Sequence, residues 1–192
     1  VDMEYDTTDE ELKKLGIEKG VMTLIDEDRQ AHVVEELWRE PKKRACGGSA
    51  ANTVIAVSQL GGKSFYSCKI ANDDTGEFYR KDLEQEGVDS NGSDGKNGDG
   101  ITGKCLVMVT PDAERTMNSF LGITSGLGED EVVETAVADA EYLYLEGYLA
   151  PSPSALAAAA KARKIAEKSG TQVVVTLSDP SIVEAFKARF NE

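Results

Sequence analysis

The residues best suited to touching a ligand lie together in Cys46-Gly47-Gly48-Ser49-Ala50-Ala51-Asn52-Thr53. Two glycines directly before a helix let the backbone come close to a bound group, because no Cβ stands in the way. The first-turn N–H groups and the Ser49 hydroxyl offer donors to an oxygen-rich partner. Asn52 follows one turn later, where its amide can both donate to and accept from a hydroxyl. The same residues also make an ordinary loop-to-helix junction, with a glycine-permitted turn and Ser49 as N-cap. The spacing is neither G-x-x-x-x-G-K-[ST] nor G-x-G-x-x-G, so a P-loop or Rossmann reading has no support.

The elements that must position this segment follow from apolar periodicity. Residues 21–25 read as a strand, 26–37 as a helix, and 49–60 as a helix stopped by Gly61-Gly62. A strand over 63–70 and a helix over 75–85, ended by Gly87, come next. Residues 88–103 are dense in Gly, Asn, Asp and Ser and predict a loop. Residues 104–110 and 115–121 flank Pro111-Asp112-Ala113-Glu114 and predict a β-hairpin. Beyond it come a helix over 129–138, a buried strand over 142–146 and an alanine-rich helix over 154–169 closed by Gly170. A buried strand over 172–177 and a helix over 180–190 complete the chain. This β-α-β-α order predicts an α/β fold with a parallel sheet covered on both faces, and the hairpin reads as an appended flap outside it. A polar opening with no strand, and a stop after a helix, are expected of an incomplete fragment.

Composition removes other chemistries. The chain has 192 residues and a net charge of −14, which disfavours nucleic acid and anionic membrane surfaces as partners. No apolar run approaches the roughly 18 to 20 residues of a spanning helix, and no secretory signal opens the chain, so a cytoplasmic location is expected. Cys46, Cys68 and Cys105 are widely spaced and odd in number, as reduced thiols would be. One histidine, His32, cannot supply a His-based metal cluster, and no metal ligands are assigned.

Taken in order, GGSAANT and the segment Lys-Ile-Ala-Asn-Asp-Asp-Thr-Gly resemble the N-terminal half of a PfkB-type, ribokinase-like carbohydrate kinase. TGKCLVMVTPDAERTMNSFLGI and YLYLEGYL resemble its adenosine-kinase-like bacterial branch. The resemblance implies a three-layer α/β/α fold with a mostly parallel sheet and a small β-lid, whose strands fall near 21–25 and 104–121. Residues 1–192 would be the N-terminal part of that kinase domain, with the C-terminal ATP-binding half absent.

Site roles follow from the same resemblance. Asp2 would accept from two ribose hydroxyls, Gly47 and Gly48 would form the hinge under the sugar, and Asn52 would bond a ring hydroxyl. Glu146, at the end of a strand, would sit beside that sugar; a solvated strand-end carboxylate is the alternative. Arg115 would face substrate or phosphate from the lid, or be a solvated strand charge, and Asp179 would lie near the phosphate path. The implied reaction is phosphoryl transfer from ATP to a primary hydroxyl of adenosine or a related ribose-containing acceptor. The alternatives are a ribokinase- or fructokinase-type sugar kinase, and a non-catalytic sugar-binding protein. ATP and Mg2+ would serve the parent enzyme, and a homodimer through the lid is a further expectation.

The family's Gly-Ala-Gly-Asp base segment and Asn-x-x-Glu motif do not occur here. No catalytic residue is therefore assigned, and the chain alone is expected to be inactive and to bind neither cofactor. Calorimetry on the 192-residue chain should give no saturable heat with ATP–Mg2+ below about millimolar; micromolar binding would overturn that division of labour.

Overall fold

The computed structural model describes residues 1–94 and 98–191, so Lys96 and its neighbours in the expected 88–103 loop, and Glu192, lie outside the described residues. In chain order the elements are β1 (Asp2–Asp6), α1 (Asp9–Lys14), β2 (Met22–Leu24), α2 (Glu27–Leu37), β3 (Lys43–Ala45) and α3 (Ser49–Gln59). There follow β4 (Phe65–Tyr66), α4 (Asp74–Gln85), β5 (Asp89–Ser90), β6 (Thr102–Val109), β7 (Arg115–Gly122) and α5 (Glu134–Ala138). The last elements are β8 (Tyr142–Glu146), α6 (Pro153–Ser169), β9 (Gln172–Thr176) and α7 (Pro180–Phe186). Among the described residues, 1–64, 70–88 and 98–124 form one compact unit, and 65–69, 89–94 and 125–191 form a second.

The first unit is built on a five-stranded mixed sheet of order β2-β7-β6-β1-β3. β6, with the apolar run Cys105–Val109, and β7 flank the turn at residues 111–114, which closes when the Thr110 N–H donates to the Glu114 carbonyl at 3.1 Å. Lys19 ties this turn to α1, its Nζ lying 2.7 Å from both Asp9 and Asp112. β6 runs antiparallel to β7 and parallel to β1, with Asp2 opposite Cys105 and Met3 opposite Leu106. Because side chains alternate across a strand, this register sorts the sheet into two faces. Met3, Tyr5, Leu106 and Met108 pack on Leu12, Leu15, Val33 and Leu37 of the α1 and α2 layer. Asp2, Cys105, Val107, Arg115 and Ser119 belong to the other face.

The helical layer is secured at its ends. Thr8 and Glu11 form a reciprocal capping box on α1, and Asp26 caps α2 through the Arg29 N–H. Arg39 grips the Glu11 carboxylate with both terminal nitrogens, at 2.9 and 3.0 Å, and holds its pKa at about 2.

The second unit pairs β8 and β9 in parallel, from Tyr142 opposite Gln172 to Glu146 opposite Thr176. α6 opens with Ser152 as N-cap and Pro153 in its first turn, and it ends at Gly170. Ala155, Ala158, Ala162 and Ala166 fall on its buried stripe, and the last two meet Val137, Leu143 and Ile165. Asn91 completes the β4–β5 edge by acting as a strand: its amide accepts from the Cys68 N–H and donates to the Cys68 carbonyl, each at 2.8 Å.

Several expectations are corrected. Residues 2–6 form β1, although they read as a polar opening; acidic residues at 2, 4 and 6 hid the apolar alternation of Met3 and Tyr5. The hairpin lies in a sheet separate from β8–β9, as expected, but it is no two-stranded appendage: β6 is the middle strand of five, and Leu106 and Met108 are fully buried. Its predicted pairing with residues 21–25 is present, with Met22 opposite Met117. The strand over 63–70 shrinks to β4, and the helix over 129–138 begins as a 3-10 turn before α5. Val132 and Val133, β-branched and extended, separate the two. The helix over 180–190 gives way to a 3-10 turn after Phe186. The strands over 142–146 and 172–177 are not buried as expected: Val175 and Leu177 are each 56% exposed. A two-stranded sheet has two open edges, and burial of both faces needs layers beyond α6.

The three cysteines are free thiols, and Cys68 is pushed up to about 12 by burial. No helix among the described residues is long and apolar enough to cross a membrane.

Asn118 is the outlier of the first core. It pairs with Leu106 on β6, is 3% exposed, and its Nδ2 meets no hydrogen-bond partner. A buried donor left unmade costs about 1–3 kcal/mol. Asn118→Leu, of similar size, should raise unfolding stability by about 1 kcal/mol or more in urea titration; a loss of stability would show that the amide is satisfied in solution.

Candidate functional site

Asp2, the first residue of β1, is held between two strands, opposite Ala45 on β3 and Cys105 on β6. The antiparallel return of β3 delivers the chain directly into Gly47-Gly48. A Cβ built on Gly47 would stand 1.8 Å from Asp2 Oδ1, so the carboxylate lies against the glycine backbone itself. Gly48 has φ 98° and ψ 141°, a conformation that side chains rarely adopt.

Gly48, rather than Ser49, is the N-cap of α3, and it makes no side-chain cap. Ser49 is instead the first helical residue, and its carbonyl accepts from the Thr53 hydroxyl at 2.9 Å. Asn52 lies one turn on with its side chain exposed, its N–H bonded to the Gly48 carbonyl at 3.0 Å. The strand end, the glycine pair and the first turn of α3 thus converge as the motif suggested, with the cap assignment shifted by one residue.

Burial raises the Asp2 pKa, opposed by the charges of the Val1 amino group and Arg115. Among the described residues no hydrogen-bond donor reaches this carboxylate. Its acceptor capacity is therefore left for something other than the protein. Arg115 opens β7 on the same sheet face, exposed, and its positive charge acts on both Asp2 and Cys105. Cys105 is pushed up by burial while it accepts from the Ser119 hydroxyl at 3.3 Å.

Glu146 belongs to the second unit, half-buried at the end of β8, where its Oε1 accepts from the Tyr144 hydroxyl at 3.4 Å. Asp179 caps α7, accepting from the Ser181 N–H at 2.8 Å and from the Ser181 hydroxyl. Beside it Ser178 has φ 68° and a buried hydroxyl with no partner. The sequence pattern did not single out Ser178, nor Tyr79 and Asp82, which reach the glycine loop from α4. Both α4 residues sit in a polar-faced helix far along the chain, and a single sequence gives no signal for such a contact.

Among the described residues, no group of three or more His, Cys, Asp or Glu side chains could hold a metal ion. An acceptor carboxylate beside a glycine-lined backbone can take hydrogen bonds from hydroxyl donors.

A family model described as pfkB family carbohydrate kinase matches residues 22–192. The chain belongs to the PfkB family of carbohydrate kinases. Within this PfkB family, the adenosine kinase of Sinorhizobium meliloti shares 35% identity and a TM-score of 0.85, over 98% of this chain and 57% of that one. A probable sugar kinase from Rhizobium etli CFN 42 shares 34% identity and a TM-score of 0.87, over 98% and 56%. Among curated relatives, the 5-dehydro-2-deoxygluconokinase of Clostridium perfringens is 32% identical over 67% of this chain and 38% of its own. The guanosine-inosine kinase of Escherichia coli K12 is 26% identical over 95% and 44%. The PfkB chain thus spans about half, or less, of the length of these relatives. The ribokinase-like α/β fold and the adenosine-kinase-like branch read from the sequence both hold.

The glycine loop yields a pair of tests for this PfkB chain. Gly47→Ala should cost about 1–3 kcal/mol in chemical denaturation, because the new methyl must displace Asp2. Asp2→Asn should do the reverse at neutral pH. A carboxyl whose folded pKa is raised destabilises the fold while ionised, and that cost fades as pH falls through the raised value towards 3.8. Thermal melts should find Asp2→Asn above the parent at pH 7, with the gap closing in acid; an unchanged gap would rule out burial as the cause.

Proposed function

We propose that this chain is the acceptor-binding part of an ATP-dependent nucleoside kinase that phosphorylates a primary hydroxyl of adenosine or a close ribose-containing relative. One observation carries the reading: the Asp2 carboxylate, half-buried against Gly47 and without a protein donor. An ionised carboxylate in that position accepts from two neighbouring hydroxyls of one sugar, a pattern ribose supplies. Asn52 above the glycine pair can exchange hydrogen bonds with another ring hydroxyl. Arg115, on the same sheet face as Asp2, adds a positive charge suited to the phosphoryl group being moved. Within the second unit, Glu146 ends β8 and Asp179 follows β9, at the C-terminal edge of that sheet, where open α/β folds place ligands.

PfkB kinases use ATP, and this reading assigns the catalytic base and the ATP–Mg2+ site to parts of the full-length protein other than these residues. Exposed Met22 and Leu24 on the edge strand β2, with Val21 just before it, suit a homodimer through the lid.

A free-sugar kinase is the second reading, favoured by the likeness to the probable sugar kinase of Rhizobium etli CFN 42. The deciding experiment gives the full-length gene product ATP–Mg2+ with adenosine, guanosine, ribose, fructose and 5-dehydro-2-deoxygluconate. Adenosine should have the highest kcat/KM. Asp2→Ala and Asn52→Ala should each lower it roughly 10-fold or more, the cost of unpaired hydroxyls in a closed site, with the KM for ATP unchanged. Preference for a free sugar would select the second reading, and no transfer to any acceptor would leave a sugar-binding protein.

A further inference from the structure

We infer that Tyr79 and Asp82 of α4 are positioning residues for acceptor binding, clamping the Cys46–Gly48 loop in the shape that meets Asp2. The inference rests on the reading of that loop as the acceptor seat, and it assigns a function to residues that touch no acceptor.

The loop has little of its own to hold it. Gly47 cannot carry a side chain because Asp2 occupies the space, and Gly48 adopts a conformation that side chains rarely reach. Adjacent glycines are also the residues that lose most freedom on ordering. The helix that follows has no side-chain cap to fix its entry. Order therefore has to be imposed from outside the segment.

α4 imposes it through three hydrogen bonds to the adjacent residues Cys46 and Gly47. Asp82 Oδ2 accepts from the Cys46 N–H at 2.6 Å, the Cys46 thiol donates to the Tyr79 carbonyl at 3.2 Å, and the Tyr79 hydroxyl donates to the Gly47 carbonyl at 3.0 Å. Tyr79 and Asp82 are three apart and so share one helix face. The first of these bonds is charge-assisted, the stronger class. Tyr79 and Cys46 are both buried, which shields the contacts from competing water.

The clamp itself is anchored. Asp73, the N-cap of α4, accepts from the Gly76 N–H at 2.7 Å, the Thr102 N–H at 2.9 Å and the Thr102 hydroxyl at 2.6 Å. Thr102 begins β6, the strand that carries Cys105 beside Asp2. One rigid helix thus joins the root of β6 to the glycine loop, so both sides of the Asp2 carboxylate are set from the same support.

Without the clamp, the loop would have to be ordered when acceptor arrives, and acceptor affinity would fall by that amount. Nucleotide affinity would not.

Two measurements on the full-length protein test this. The first is amide hydrogen exchange of the peptide spanning residues 44–52 in Tyr79→Phe, Asp82→Ala and Asp82→Asn. Exchange should accelerate in the first two and stay near the parent in Asp82→Asn, whose amide oxygen still accepts from Cys46; unaltered exchange in Tyr79→Phe and Asp82→Ala overturns the clamp whatever the protein's substrate. The second is steady-state kinetics with adenosine. Tyr79→Phe should raise the adenosine KM about 3- to 10-fold and Asp82→Ala about 10-fold or more, with the KM for ATP unchanged and Asp82→Asn within about threefold of the parent. Faster exchange with an unmoved adenosine KM, or an equal rise in both KM values, overturns the positioning role. A parent that does not phosphorylate adenosine contradicts the acceptor reading instead, and the exchange result still decides the clamp.

Discussion

The contact between the Asp2 carboxylate and the Gly47 backbone constrains most of the first unit. It requires β1 and β3 to meet at that point, which the antiparallel register from Glu4–Lys43 to Asp2–Ala45 secures. It requires a residue without a side chain at position 47, and it brings the start of α3 to the strand end. Burying a carboxylate in this way is unfavourable for folding, and nothing in the described protein compensates it with a hydrogen bond. Such local costs concentrate where a ligand is expected to repay them.

Much of this was legible in the sequence because it depends on short-range pattern. Apolar periodicity located α2, α3, α4, α6, β2, β8 and β9 to within a few residues, and the turn residues at 111–114 located the β6–β7 hairpin. The pair Gly47-Gly48 announced a close backbone approach, and the structure supplies the reason in the 1.8 Å that a methyl would leave to Asp2. The family match and the resemblance agree on the kinase class. What the local pattern could not carry was pairing at a distance. β1 was hidden because the positions between its apolar residues are Asp2, Glu4 and Asp6, and it becomes a strand through ladders to β3 and to β6, the latter about a hundred residues away. For the same reason the hairpin read as an appendage, since its neighbour on one side was unrecognised.

The candidate site divides along the same line. Asp2, Gly47, Gly48 and Asn52 are adjacent in sequence or tied by a family motif, and all four belong to one unit. Tyr79, Asp82 and the Asp73–Thr102 anchor act through backbone groups of other segments. A side chain that holds a backbone N–H or carbonyl leaves no pattern in composition or spacing. Ser178 is similar: its φ of 68° is a property of the chain path, and serine carries no mark of it.

The two faces of the β6–β7 hairpin carry opposite demands within single strands. Leu106 and Met108 belong to the apolar core, whereas Cys105 and Val107 line the side of Asp2. Substitution on the side of Asp2 is thereby confined to every second position, and the positions between are held by core packing. Deletion of one residue from β6 would exchange the two sets at once, turning the core outward and placing Cys105 among the α1 and α2 side chains. Length in this hairpin is thus more tightly constrained by the fold than identity is: a point substitution on the Asp2 side leaves the core pattern intact, whereas an insertion or loss does not.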